Sequence, residues 1–266
     1  QGYQVHYGNW LITGKPKIIL FDIASIYDQI NAIKGRIWEN HKISTLGVEE
    51  LVNQTIALGE LIRLFIGKWA QENQNKKDLI VHFHEWMAST CLPDLKKEKV
   101  KISTVFTTHA TMLGRYLAGN VPNFYDVIDT FDWYKEAVNY GIEAQASFER
   151  QAAQKADVLT TVSDITAKEC QYFLGRIPEL ILPNGLNIQR FAALHEHQNL
   201  HSKYKQNLSE FVMGHFFQSQ AFDLDQTLYL FTSGRFEYSN KGYDLTLDAL
   251  ALLNQKMKDI GSKKTV

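Results

Sequence analysis

A chain of 266 residues, 45% of them hydrophobic, can bury a large core and build one or two domains. Its 28 Lys and Arg against 29 Asp and Glu leave a formal net charge of -1, with no basic block or stripe to mark a nucleic-acid binder. Two cysteines, Cys91 and Cys170, supply neither a disulfide framework nor zinc spacing, and no signal peptide or long uncharged apolar run points to export or a membrane, so a soluble cytoplasmic protein is expected.

The stretch Val5 to Ile12 is aromatic-rich and is punctuated by Gly14-Lys15-Pro16. Ile18 to Phe21 reads as a buried strand, and the weakly patterned segment Asp28 to Leu46 as loop and short helix. Val48 to Gln71 carries apolar residues over much of a helical surface and predicts a long, well-buried helix. Strands are expected at Leu79–Phe83, Ile102–Phe106, Val158–Val162 and Leu180–Leu182, each a short apolar run closed by polar residues. The segment after Thr108, through Asn139, reads as a loop packed over something. Ile142 to Ala156 is predicted helical, and Ser163 is placed as a helix N-cap. The order β, α, β, α, β, α, β implies a parallel sheet covered on both faces.

After Pro183-Asn184-Gly185 the pattern changes. Leu200, Tyr204, Leu208 and Phe211 mark an amphipathic helix. Leu228 to Phe231 then reads as a buried parallel strand, Thr232-Ser233-Gly234 as a turn, and Leu245, Leu247, Leu250 and Leu253 as a helix. A strand, a turn and a helix in that order put the turn at the carboxyl end of a sheet, where α/β folds bind ligands. Arg235 and Lys241 lie in that turn beside Gly242. A fork donor, a point charge and free N–H groups at a helix start suit a diphosphate. An ordinary strand–loop–helix with two solvated cations fits the same spacing.

Three more stretches carry candidate chemistry. His82 and His84 share one strand face, where packed histidines and a metal pair are the competing readings. His109 sits at the mouth of a second strand with Arg115 one or two turns on; a neutral imidazole there can orient a hydroxyl or carbonyl. Gln198, His201 and Lys205 fall on one helical stripe, suited to an anionic sugar phosphate or simply to water.

The runs HFHEWMAS, TTHATMLGRYLAG, Glu149-Arg150-Gln151-Ala152-Ala153, TTVSDITAKE, LPNGLN, HEHQNLHSKYK and SGRFEYSNKGYD, with the opening VHYGNWLITGKPKIILFD, together resemble glycogen synthase of the animal and fungal type. They appear in collinear order over nearly the whole chain. The resemblance implies an α/β, GT-B-like architecture. Residues 1–183 would form an N-terminal Rossmann-like, acceptor-side domain lacking its first elements. Residues 184–266 would be the incomplete start of a C-terminal, nucleotide-sugar-binding Rossmann-like domain. It also implies transfer of glucose from UDP-glucose to the non-reducing end of an α-1,4-glucan, with retention and with neither metal nor cofactor.

By the same likeness Arg235 and Lys241 would hold the UDP pyrophosphate, and His109 would face the transferred glucose. Arg115, Asn184, Gly185 and His84 would line the substrate cleft. Gln198, Asn199, His201 and Lys205 match positions around a glucose 6-phosphate effector. The implied partners are glycogen or a glucan primer, a nucleotide sugar and further copies of the chain in a homo-oligomer, with no nucleic acid and no membrane. The family's glycine-rich donor loop would precede residue 1 and its second-domain carboxylates would follow Val266, so a polypeptide of this length is expected to be inactive by itself. Competing readings are a non-catalytic sugar-nucleotide or glucan-binding module, and another retaining GT-B enzyme.

Overall fold

The computed structural model of the chain describes residues 2–73, 78–188, 193–217 and 223–266, with the side chains of Leu194 and His195 outside that description. The chain divides into two compact units, Gln1–Asn184 and Gly185–Val266.

The first unit begins with an antiparallel pair, β1 (Val5–Asn9) and β2 (Lys17–Phe21). The expected strand at Ile18–Phe21 therefore forms, but it pairs in a half-exposed hairpin and not in the parallel sheet. Lys15 closes the intervening turn in the left-handed region, at φ 41°. A 3₁₀ stretch, Ile23–Gln29, leads into α1 (Ile30–His41), and α2 (Glu50–Asn73) follows. The sheet of this unit has the order β3 (Ile80–His84), β4 (Ser103–Thr108), β5 (Val158–Thr161), β6 (Leu180–Ile181), all parallel. Between β3 and β4 come α3 (Glu85–Ser89) and α4 (Leu92–Lys97), the latter with Pro93 in its first turn, where a missing N–H costs nothing.

Between β4 and β5 lie α5 (Met112–Asn120), two 3₁₀ turns, α6 (Trp133–Asn139) and α7 (Glu143–Lys155). The part through Asn139 reads as loop from sequence because its Gly, Pro and aromatic residues blur the period, whereas α7 forms where the helix is expected. Its helices form on caps and tertiary packing: Thr111 caps α5 by accepting from the Gly114 N–H, and Asp132 caps α6 by accepting from Lys135. Ser163 caps α8 (Asp164–Glu169), its hydroxyl oxygen accepting the Thr166 N–H at 3.2 Å. One π turn, Cys170–Leu174, ends in Gly175 at φ 70°.

The core consists of three apolar clusters, and α7 contributes to all of them. Ala152, Ala153 and Ala156, its last turn and C-cap, meet Phe83, Phe106 and Leu159 of the sheet. Ala144 and Phe148 join α1 and α2 residues, and Ala146 packs beside Leu113, Leu117 and Phe173. Alanines let the helix approach the sheet closely, so α7 can be central without being strongly hydrophobic. Its buried polar residues, Gln145 and Glu149, are 5% and 1% exposed and must therefore find partners inside.

Charged side chains tie α1 to α2 and α4. Arg36 pairs with Glu60 and Asp94, and His41 Nε2 lies 2.7 Å from Asp94 Oδ1. Burial works against the Asp94 carboxylate, but hydrogen bonds from His41 and Asn40 and the charge of Arg36 outweigh it and bring its pKa down to about 2. This network, invisible to periodicity, is why Asp28–Leu46 holds a twelve-residue helix and not the short one expected.

The second unit contains α9 (Leu194–Phe216) and α10 (Tyr243–Asp259). The buried strand expected at Leu228–Phe231 is not present: the pairing there is one parallel bridge, Thr227 to Thr265, with the Leu228 N–H donating to Thr265 O at 2.9 Å. Leu230 and Phe231 stand 67% and 86% exposed, and Thr227 alone among the described residues of this unit is buried. A single strand–turn–helix offers no second layer to bury an apolar run. The apolar stripe of α9 is exposed for the same reason. Among the described residues no helix is long and apolar enough to cross a membrane.

Candidate active site

Strands β3 and β4 run in register, His84 beside Thr107, so the residues that follow each strand emerge at the same edge of the sheet. His82 and His84 stand on one face with ring centroids 4.1 Å apart, and His84 stacks at 5.8 Å on His109. His84 Nδ1 is 3.5 Å from His109 Nε2, and His82 Nε2 is 2.6 Å from the Thr107 hydroxyl. Burial, then the neighbouring imidazoles of His82 and His109, lower the pKa of His84 and favour its neutral ring. Among the described residues no group of three or more His, Cys, Asp or Glu side chains could hold a metal ion.

His109 opens a turn whose backbone is held by acidic side chains from three different helices. Glu85 of α3 accepts the His109 N–H at 2.8 Å, Glu169 of α8 accepts the Thr111 N–H at 3.1 Å, and Glu149 of α7 accepts the Met112 N–H at 2.9 Å. The remaining oxygens are also used: Thr108 donates to Glu149 at 3.0 Å and the Tyr125 hydroxyl to Glu169 at 2.9 Å. A turn gripped at three amides fixes the place of both the imidazole and the carbonyl of His109. Arg115, one turn into α5, approaches the other oxygen of Glu85 at 3.6 Å. The structure thus gathers His84, His109 and Arg115 around Glu85. Glu85 itself sits in the left-handed region, at φ 64°, where the chain changes direction from β3 into α3.

Glu149 is strongly perturbed by its surroundings. Complete burial pushes its pKa up to about 8, reinforced by the charges of Glu85 and Glu169 and opposed by its bonds from Met112 and Thr108. Glu169 leaves no room beside it, since a Cβ at Gly114 would lie 2.2 Å from its Oε2. Gly114→Ala therefore displaces the carboxylate from Thr111 and is expected to destabilise the first unit by about 1–3 kcal/mol. Gly35→Ala, in open space within α1, serves as control and is expected to leave the thermal midpoint unchanged or higher. An unchanged midpoint in the Gly114 variant would remove the steric argument.

Asn184 and Gly185 lie exposed in a segment without regular secondary structure after β6, apart from any tight turn. In the second unit, the turn before α10 carries both expected cations. Lys241 folds back along Gly234, at which a Cβ would meet Lys241 Cδ at 3.4 Å. Arg235 is 74% exposed and pairs with Glu237 at 3.0 Å. The expected free N–H groups at this helix start are mostly occupied: Tyr243 donates to Tyr238 O, Leu245 to the Asp244 carboxylate and Thr246 to Gly242 O. The side chains, not the amides, are what this turn offers an anion. On α9, Gln198, Asn199 and His201 are exposed and Lys205 is half-buried, with His201 stacked on His197.

Sequence reading alone overlooks the roles of Glu85, Glu149 and Glu169. The available signal is a carboxylate inside an otherwise apolar or small-residue run, as in ASFERQAA around Glu149, which demands an internal partner.

The family model described as glycogen synthase matches residues 1–266. The chain belongs to the glycogen synthase family. A glycogen [starch] synthase of Neurospora crassa is 43% identical over 266 residues, which is 100% of this chain and 38% of the relative. Glycogen [starch] synthase isoform 2 of Saccharomyces cerevisiae is 46% identical over 267 residues, with the same shares, and that of Dictyostelium discoideum is 46% identical with 30% of its length covered. The chain thus spans between 30% and 38% of the length of these relatives. Its four-stranded parallel sheet with flanking helices is the Rossmann-like arrangement of a GT-B N-terminal domain.

Proposed function

We propose that the complete protein transfers glucose from UDP-glucose to the non-reducing end of an α-1,4-glucan with retention of configuration. The observation that carries this reading is the family match over every residue from 1 to 266. The geometry of the first unit supports it: His84, His109 and Arg115 converge around Glu85 at the carboxyl ends of β3 and β4, where α/β folds place ligands.

In the proposed reaction the bond from glucose C1 to the diphosphate oxygen breaks and its electron pair leaves with UDP. The acceptor hydroxyl forms the new bond on the same face, and its proton passes to the departing phosphate. Negative charge develops on that phosphate, and Arg235 and Lys241 are the cations assigned to it. His109, its turn fixed by three carboxylates, faces the transferred glucose, with His84 and Arg115 beside it. Asn184 and Gly185 are assigned to substrate binding. Gln198, Asn199, His201 and Lys205 are assigned to a glucose 6-phosphate effector. The domain roles follow: residues 1–183 serve the acceptor and 184–266 begin the nucleotide-sugar domain. A cytoplasmic location and a homo-oligomeric state belong to the same reading, the first supported by two buried free thiols.

The test is incorporation of labelled glucose from UDP-glucose into glycogen by the full-length gene product. Incorporation into α-1,4 linkages is expected. Glucan binding without any incorporation would overturn the reading in favour of a non-catalytic module.

A further inference from the structure

Three neighbouring strands lay a line of polar groups across the His84 face of the sheet. His84 pairs in register with Thr107, and Thr107 with Thr160. His82, two residues before His84 on the same face, brings Nε2 to 2.6 Å from the Thr107 hydroxyl, which is hydrogen-bonded in turn to the Thr160 hydroxyl. Both threonines are buried, while His82 stands exposed. The next threonine on each strand spends its hydroxyl elsewhere, Thr108 on Glu149 and Thr161 on the carbonyl of Thr108. Among the described residues the Thr160 hydroxyl has Thr107 as its one partner.

The line has one complete arrangement of protons. Two hydroxyls carry one proton each, and two hydrogen bonds join the three groups. If His82 donated from Nε2, both hydroxyl protons would be left to the single Thr107–Thr160 contact, and one would be buried without an acceptor. Every proton is used when Thr160 donates to Thr107 and Thr107 donates to His82 Nε2. The ring is then neutral, with its proton on Nδ1. A further proton at Nε2 would reverse the line and strand a hydroxyl, so two buried threonines hold an exposed histidine uncharged.

The His82 ring lies 4.1 Å from that of His84, and His84 Nδ1 lies 3.5 Å from His109 Nε2. The charged groups around this stack are Glu85 of α3 and Arg115 of α5, 3.6 Å apart, with Glu149 and Glu169 on amides of the His109 turn. In the proposed transfer, loss of the diphosphate leaves positive charge on the glucose at C1. A cation in the stack opposes that charge, and an uncharged stack does not.

We propose that His82 is a positioning residue for glucose transfer: with Nε2 fixed as an acceptor by Thr107 and Thr160, it keeps the stack of His84 and His109 uncharged where the glucose becomes positive. The role rests on the transfer reading above.

The test is the pH dependence of kcat for transfer from UDP-glucose to glycogen by the full-length protein. Thr107→Val with Thr160→Val removes both hydroxyls, keeps their branched shape and strands no donor, so the thermal midpoint should stay close to the parent's. His82 can then take a proton, and the acid fall of kcat is expected to move up by about one pH unit, toward the roughly 6.5 at which a free imidazole titrates. His82→Phe added to that pair keeps a ring against His84, cannot titrate, and should return the acid fall to its position in the parent. The parent's profile in the folded pair, or a shift that survives His82→Phe, would overturn the role of His82 and leave the transfer reading intact. If the pair fails to fold, Thr107→Val alone, which also frees Nε2, is held to the same outcomes. Absence of transfer by the unsubstituted protein would overturn both.

Discussion

Arg235→Ala in the full-length protein is expected to lower turnover with UDP-glucose by about 10²–10³-fold, the usual cost of removing one preorganised donor from the place where charge develops. The leaving diphosphate gains negative charge only as the glycosidic bond to it breaks. The loss should therefore fall on kcat more than on KM. Arg235 meets Glu237 at 3.0 Å and is 74% exposed, so its guanidinium is loosely held by a rim carboxylate that a diphosphate can replace. Arg235→Lys keeps the charge and loses the two-pronged fork, and should fall between the variant and the parent. Steady-state kinetics with varied UDP-glucose make the measurement. Full turnover in Arg235→Ala would end the assignment, and an effect confined to KM would reduce it to ground-state binding.

Glu149 is expected to make the protein lose stability as pH rises. Its folded pKa, raised to about 8 by burial and then by neighbouring carboxylates, stands above the ordinary 4.5 that an unfolded chain would show. Between those values the folded state keeps a proton that the unfolded state has released. The stability this contributes is present in full below pH 4.5 and is lost as pH climbs toward 8, by up to about 1.4 kcal/mol per unit. Glu149→Gln cannot titrate and should flatten the fall of the thermal midpoint between pH 5 and 8. Glu149→Ala strands the Thr108 hydroxyl and the Met112 N–H inside the protein and opens a void, at an expected cost of about 3 kcal/mol. Parallel pH profiles for Glu149→Gln and the parent would show that the carboxyl does not carry the slope.

Much of the first unit can be read from sequence because its signals are local. The runs at Leu79–Phe83 and Ile102–Phe106 are short and apolar enough to mark strands, the second well covered and the first leaving Ile80 67% exposed, and Ser163 announces its own helix. β2 deceives because a half-exposed hairpin strand and a parallel strand present similar five-residue runs. Leu228–Phe231 deceives differently: the pattern records a burial that needs a partner layer, and among the described residues the unit supplies only the helices α9 and α10. The helix Ile30–His41 is hidden because Arg36, Asn40 and His41 are held by Glu60 and Asp94 from distant helices. The site divides in the same way. His84, His109 and Arg115 are legible, since strand ends at adjacent register must bring them together. Glu85, Glu149 and Glu169 are not, because each grips an amide 24, 37 or 58 residues away and no periodicity encodes that.

The left-handed backbone at Glu85 sets a floor under the value of that grip. Glycine would occupy φ 64° without penalty, whereas a side chain there costs about 1–2 kcal/mol. A glutamate at this corner means that holding the amide of His109 and facing Arg115 returns at least that much, so the kink is a local measure of how firmly the His109 turn is kept in place.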